Sequence, residues 1–411
     1  MSRLGKIRRR LGDISERLST RDHAFDGWLL VATFSLLLIG WVMVTSASTE
    51  VASGLTGNAW YFSIRHGIFV LAGVVVGTLA LRVPLAWWKA NGPLLLLVGV
   101  GFLILVLLVG REVNGSKRWL SVPGVPINLQ ASEVAKLCLI VYMSGYLERF
   151  LPQVRTQWGA FLRPLAVVGV YAFLLIFEPD YGAVVVMTGC VMGMLLMSGA
   201  PWGRFILLFI GVGLLGALLA VAEPYRMARL TSFTDPWADQ FASGYQLTQA
   251  LIAFGRGQVF GMGLGNSVQK LFYLPEAHTD FVFAVLAEEL GLVGAIAVIG
   301  LFALLVWRAM AVGRRAELAQ LPFAAYLSYG IALVIGAQAF INIAVASGML
   351  PTKGLTLPLL SYGGSSLIVS CVMVALLLRV DIETRERQRQ SAPTAQRIGT
   401  RQRSNAQGVK P

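Results

Sequence analysis

Charged residues are scarce in this chain: Asp, Glu, Lys and Arg together make up 13% of 411 residues, against roughly a quarter in an ordinary soluble domain. A chain so poor in charge cannot cover a water-facing surface, which excludes a soluble globular enzyme. Histidine is scarcer still. His23, His66 and His278 lie far apart in sequence, so no histidine metal site and no Ser-His-Asp triad is expected. The three cysteines, Cys138, Cys190 and Cys371, sit inside apolar blocks and form no CxxC pair, so disulfides and zinc sites are not expected either. There is no GxxxxGK[ST] loop, and the glycine-rich FGRGQVFGMGLGN fails as GxGxxG because Phe260 stands where the third glycine belongs. We find no fixed-period repeat of the kind that inverted-repeat transporters carry. The net charge of +13 would suit nucleic acid, but the basic residues fall in short segments between and outside apolar blocks. There they would meet anionic lipid, so no nucleic-acid partner is expected.

What the sequence has in abundance is apolar length. Hydrophobic residues make up 56% of the chain and its mean hydropathy is +0.69. Blocks long enough to cross a bilayer predict ten helical spans at about 27–47, 66–82, 92–110, 132–148, 162–177, 181–199, 204–222, 280–306, 322–346 and 363–379. The fold class expected is an all-α integral membrane protein. The basic stretch Arg3 to Arg21 and the lack of an A-x-A site after the first apolar block argue against a cleaved signal peptide. Loops on the side of both termini carry 24 Lys and Arg, against 9 on the other, which predicts both termini in the cytoplasm. Three regions follow: a basic N-terminal tail at 1–26, a membrane domain at 27–379, and a polar, basic tail at 380–411 expected to be disordered. The longest inter-span segment, 223–279 between spans 7 and 8, would lie outside the cytoplasm. Its YQLTQALIAFGRG has helical apolar periodicity, and a long ordered loop is a natural carrier of function.

Ionisable groups at membrane depth are costly and are therefore candidates. Glu133 and Lys136, three apart in NLQASEVAK, share one helix face and can neutralise each other, as a structural pair or as part of a site. Glu178-Pro179-Asp180 breaks the chain between spans 5 and 6, as a capped turn or as two site carboxylates. Asp280 opens the eighth span in LPEAHTDFVFAVLAEELG, where Thr279 and Asp280 could equally be N-caps. On a continuous helix Glu288 falls about 80° and Glu289 about 180° around from Asp280, so at least one faces the bundle. The glycines at 255–265 imply backbone in close approach to a packed helix or a phosphate. SYGGSS at 361–366, with Ser365 and Ser366, opens the tenth span and could hold an anion or allow close helix packing.

These segments resemble the SEDS family of ten-span peptidoglycan glycosyltransferases. The resemblance rests on LPEAHTDFVFAVLAEELG, RMARLTSFTDPWADQFASGYQLTQALIAFGRG, LPTKGLTLPLLSYGGSS, REVNGSKRW, NLQASEVAK and EPDYGA, and covers about residues 25–380. TKGLTLP is closer to the cell-division member than to the elongation-type member, in which a sequence like VTGIPLP stands. Ala131 departs from the usual proline before Ser-Glu.

The resemblance implies polymerisation of lipid II, the undecaprenyl-pyrophosphate-linked disaccharide-pentapeptide, at the outer face of the bacterial inner membrane during septal division. It implies Asp280 as the base that takes the proton from the acceptor 4-hydroxyl, inverting the donor's α-linkage. It also implies a class B penicillin-binding protein and other divisome proteins as partners. A pyrophosphate leaves without a second, acid carboxyl, so one base suffices. Candidates to hold substrate are Lys353, Lys136 with Glu133, Arg226, Arg229, Arg256, His278, Ser365 and Ser366. No organic cofactor is expected; magnesium or manganese would suit the oxygen-rich groups, although no metal-ligand motif is visible. A lipid II flippase or transporter, or a purely structural divisome scaffold, would be the competing classes.

Overall fold

A computed structural model describes residues 25–113, 116–121, 128–221, 236–238, 241, 244–351 and 354–391. Each of the ten apolar blocks lies largely within a helix. These are α1 (Gly27–Thr56), α2 (Tyr61–Arg82), α4 (Gly92–Val109), α5 (Ala131–Thr156), α6 (Trp158–Phe177), α7 (Tyr181–Met197), α8 (Trp202–Val221), α10 (Val282–Leu318), α11 (Pro322–Ala346) and α12 (Gly364–Ser391). Two further helices are α3 (Leu85–Ala90), which turns the chain between α2 and α4, and α9 (Tyr245–Gly257). The second coincides with YQLTQALIAFGRG. Seven of these helices, α1, α2, α4, α6, α10, α11 and α12, are long and apolar enough to cross a membrane. Of the other three, α5 carries charge, α7 has 17 residues, and α8 is counted apolar over Trp202–Gly211.

Packing sorts the helices by depth. The most apolar window of α12 is 83% buried and that of α11 67%, whereas α4 reaches 22%, so α11 and α12 are central and α4 faces outward. Around them α12 packs on α2, α11 on α5, α7 and α10, and α1 on α2 and α10. Helix α8 touches the bundle through α7, through Arg204, which donates to the carbonyls of Val154, Thr156 and Gln157 at and just past the end of α5, and through Phe205, which packs on Phe161 of α6.

Three expectations need correction. The chain is not wholly helical: β1 (Arg111–Val113), β2 (Ser116–Ser121) and β3 (Asn128–Gln130) form an antiparallel sheet in the order β1-β2-β3. Trp119 pairs with Gln130 and Leu120 with Leu129. Strands of three to six residues between two apolar blocks show no readable alternation, which is why the helical pattern hid them. The eighth span starts at Val282, not Asp280, and is broken at Gly291. Lastly, α12 runs on to Ser391, so residues 380–391 are helical rather than tail. Arg379 pairs with Glu383 and Arg385 with Asp381 at i,i+4, and Arg315 ties Asp381 to α10, giving this polar stretch the support that composition alone did not suggest. Residues 1–24 and 392–411, and with them most of both expected tails, lie outside the described residues.

Candidate functional site

The glycine-rich segment after α9 exists to enter the broken helix. At Gly291 the backbone takes φ 68, ψ −167, and the i→i+4 bonds spanning the break cannot form. The carbonyls of Glu288 and Glu289 instead accept from Met262 N (3.0 Å) and Gly263 N (3.0 Å). The amides of Leu292 and Val293 donate to Gln258 O (2.9 Å) and Val259 O (3.1 Å). All four orphan groups are thus satisfied by one loop, as buried backbone requires. Of the two readings of these glycines, contact with a packed helix is the one observed. A Cβ on Gly257 would stand 1.9 Å from Ala287 O.

The same insertion buries both glutamates of the EEL sequence, which are fully inaccessible. Glu288 accepts from Arg256 Nε (3.1 Å), from Ser267 Oγ, and from the amides of Val268 and Gln269. Glu289 accepts from Lys270 Nζ (2.8 Å) and Ser46 Oγ (2.7 Å). Arg256 therefore spends its charge on Glu288. These pairs pin the loop leading to the HTD segment onto α10.

Asp280 ends that loop just ahead of α10. The helix N-cap is Phe281, with no side-chain cap bond, so the capping role open to Asp280 in the sequence is not the one it takes. Its backbone carbonyl accepts from Asn342 Nδ2 (2.8 Å), which also donates to Leu355 O. Among the described residues none hydrogen-bonds the Asp280 carboxylate. Gly354 faces it so closely that a Cβ there would lie 2.8 Å from Asp280 Oδ2. Asp280 lies deep, with part of its surface still open. Burial, reinforced by Glu276 and Asp180 and opposed by Arg118, pushes its pKa up to about 7.

Arg118, on β2, is a cation close enough to act on both Asp280 and Glu178. It donates through Nε to Glu178 O (3.1 Å) and through its terminal nitrogen to Pro179 O. At the EPD corner the capped turn is observed. Asp180 caps α7 at Ala183 N (3.2 Å), and its other oxygen accepts from Ser132 Oγ (2.9 Å) and Gln130 Nε2 (3.3 Å). Neither oxygen of the buried Glu178 has a partner among the described residues. Burial first, then Asp180, moves its pKa up to about 8 against the pull of Arg118, so it is largely protonated at neutral pH.

Glu133 and Lys136 form the expected pair at 2.9 Å, both buried. Lys136 Nζ also donates to Gln338 Oε1 (2.6 Å), whose Nε2 donates to Thr356 O (3.0 Å). Gln338 and Asn342 stand four apart on α11 and hold 355–356 together. Sequence reasoning passed over both, although two carboxamides at i,i+4 in an apolar span are the signal that intramembrane polar groups give. Arg118, within REVNGSKRW, carries no sequence signal that marks it as part of the site.

His278 packs on Phe62 (4.8 Å between ring centroids) and Tyr362 (5.6 Å), and its carbonyl accepts from Tyr362 N (3.0 Å). Burial lowers its pKa, so the imidazole is neutral near pH 7. Ser365 Oγ bridges Gln130 N (2.9 Å) and Asn128 O (2.9 Å), and Ser366 Oγ bonds Thr356 Oγ1 (3.0 Å). SYGGSS thus ties the sheet and the 354–357 loop to α12. Lys353, Arg226 and Arg229 lie outside the described residues.

Taken together, a central helical bundle with apolar lipid-length helices, and a carboxylate held open at one end by glycine, carboxamide and aromatic contacts, define a polytopic membrane protein with a polar site at one end of the bundle. The chain belongs to the family of cell cycle proteins that includes FtsW, RodA and SpoVE, whose sequence model matches residues 27–386. It is 79% identical to the probable peptidoglycan glycosyltransferase FtsW of Halomonas elongata over 97% of this chain and 99% of that one. The corresponding protein of Hahella chejuensis is 57% identical over 89% of this chain and 92% of its own. Among solved structures, Thermus thermophilus RodA superposes with a TM-score of 0.64 at 25% identity, covering 88% of this chain and 97% of RodA. A chain from a peptidoglycan synthase complex that coordinates polymerization and crosslinking gives 0.72 at 26% identity, covering 88% and 98%.

Proposed function

We propose that this chain is an inverting peptidoglycan glycosyltransferase of the septal kind, joining lipid II units at the outer face of the cytoplasmic membrane. The observation that carries this is the Asp280 carboxylate: deep, free of hydrogen bonds from the described residues, and with a pKa of about 7. A base near the working pH combines the ionised form with a strong pull on a proton. Carboxylates already spent on Arg256, Lys270 or an N-cap offer no such pull. The Asn342 clamp on the Asp280 carbonyl and the Gly354 backbone against its carboxylate fix the direction from which an acceptor hydroxyl arrives. Attack opposite the departing pyrophosphate inverts the anomeric carbon.

In this proposal Arg118, Lys353, Arg226 and Arg229 are the cations that meet the two pyrophosphates, while Lys136 with Glu133 shapes the floor beneath them. Magnesium or manganese would neutralise the leaving group, held mainly by pyrophosphate oxygens with one or two carboxylates; among the described residues no three His, Cys, Asp or Glu groups converge to cage one. Ten spans, both termini in the cytoplasm and an outer 223–279 segment fit the alternating helices and the basic-residue asymmetry. A class B penicillin-binding protein and further divisome proteins are the partners we infer. Incubating purified protein and that partner with labelled lipid II tests the proposal. Glycan polymer is expected; lipid transfer between leaflets without polymer would instead make this a flippase.

A further inference from the structure

A cavity of about 760 Å³ opens at the Asp280 end of the bundle, between the ends of α1 and α2 and the 264–271 loop. Asp280 does not line it: the first turn of α2 stands between, with Phe62 against His278 on one side and Trp60 and Ser63 on the other. Its floor reaches α10 through Lys270 and Ser267, which bind Glu289 and Glu288. The Asp280 loop and this cavity are therefore built on the same short helical segment.

The lining identifies the ligand chemistry. Lys270 is the one cation among the lining residues, and its three N–H groups are spent on Glu289, Ser46 and Gly265 O at 2.7–2.9 Å. A phosphate would find no free cation among these residues, and the exposed carboxylate of Glu50 in the same wall would repel it. The walls instead carry two half-open indoles, Trp41 and Trp60, exposed by 46% and 61%. Beside them stand the hydroxyls of Thr45 and Thr49, whose protons are engaged within α1 or with Ser63, and the amide of the exposed Asn266. Aromatic faces beside hydroxyl acceptors and an amide suit a neutral ring with one apolar face and many O–H groups, which is a pyranose.

We infer that this cavity binds the β-linked N-acetylamino sugars of the glycan, as a holding site beside the polymerisation site. The inference rests on the proposed glycosyltransferase function. Two sources share the chemistry, the disaccharide of an incoming substrate and the strand already made, and ligand length separates them.

The test uses saturation-transfer NMR on the purified full chain with β-1,4-linked N-acetylglucosamine as dimer and as hexamer. Saturable binding is expected, weakened about tenfold or more in Trp60→Ala, the size of one lost aromatic contact. Thr49→Val, which keeps the shape of the side chain, should also weaken it. Tight hexamer with weak dimer assigns the site to the strand, and equal affinities assign it to the substrate sugars. Failure of both to bind, equal binding by parent, Trp60→Ala and Thr49→Val, or displacement by a diacyl phospholipid would overturn the inference. Oligosaccharide binding by a parent chain that makes no polymer even with its proposed penicillin-binding partner would count against the glycosyltransferase function and leave the sugar site standing.

Discussion

Gly261 and Gly291 meet backbone to backbone: a Cβ on Gly291 would lie 2.3 Å from Gly261 N, and one on Gly261 2.1 Å from Glu289 O. Both have positive φ, 82 and 68. The contact is where the loop carrying Lys270, His278 and Asp280 docks into the broken helix, so the position of the candidate base depends on two residues with no side chain.

Gly291→Ala should therefore be among the most damaging single-methyl changes in the chain. The left-handed conformation alone costs about 1–3 kcal/mol for a side-chain-bearing residue, and the close contact adds to it because backbone cannot step aside. Lower membrane yield and an earlier thermal unfolding in detergent are expected. Gly265→Ala also has positive φ, 86, but its Cβ would meet nothing within 4 Å, so it should show the conformational cost alone. Equal stability of the two variants would refute the close-docking account.

Glu133 and Lys136 give a graded expectation. Removing one partner of a buried pair leaves an uncompensated charge, at a cost of about 3–5 kcal/mol. Lys136→Met also releases Gln338 from one of its two anchors, the other being Thr356 O beside Gly354. The double change Glu133→Gln with Lys136→Met should restore expression more than it restores lipid II polymerisation. Full activity in Lys136→Met alone would remove the pair from the site.

Much of this was legible because apolar length and charge scarcity act over whole helices. The ten blocks, α9 and the Glu133–Lys136 pair all follow from periodicity or i,i+3 spacing within one element. What sequence could not supply is what depends on segments meeting. Glu288 and Glu289 lie about 100° apart on a helix, yet both are buried, because the loop covers the face that a continuous helix would leave outside. Asp280 lost its apparent cap role because the helix begins two residues later. Glu178 stands out in the sequence as part of the EPD corner, but its isolation arises only when Arg118 turns to the backbone carbonyls of the corner.

Orientation can be read by labelling. Cys138, Cys190 and Cys371 are all buried, so a new exposed cysteine reports alone. Phe260→Cys, at a side chain 83% exposed near the inserted loop, should react with an impermeant maleimide on intact spheroplasts. Arg314→Cys at the opposite end, where the side chain is 66% exposed, should react only after the membrane is opened. The reverse pattern would place Asp280 on the cytoplasmic side and end the lipid II polymerase proposal.

Asp280→Asn separates base from scaffold in both rate and stability. A lost general base costs about 10²–10⁴-fold in rate, so polymer should vanish while membrane insertion and pull-down of the proposed penicillin-binding partner persist. In the parent, the rate should fall as pH drops below about 7, where the carboxyl takes up its proton. The stability sign runs the other way from that of a salt-bridged aspartate. A folded-state pKa raised above the unfolded value means that the native state holds the proton more tightly, so ionisation costs stability as pH rises from about 4 through about 7. Asparagine mimics the neutral acid, so Asp280→Asn should unfold at a higher temperature than the parent at pH 8, with the two converging near pH 4. A variant that is inactive and also less stable at pH 8 would mean that Asp280 supports the loop; activity within a few-fold of the parent would mean that the proton goes elsewhere, with Glu276, whose charge bears on Asp280, as the next carboxylate to test.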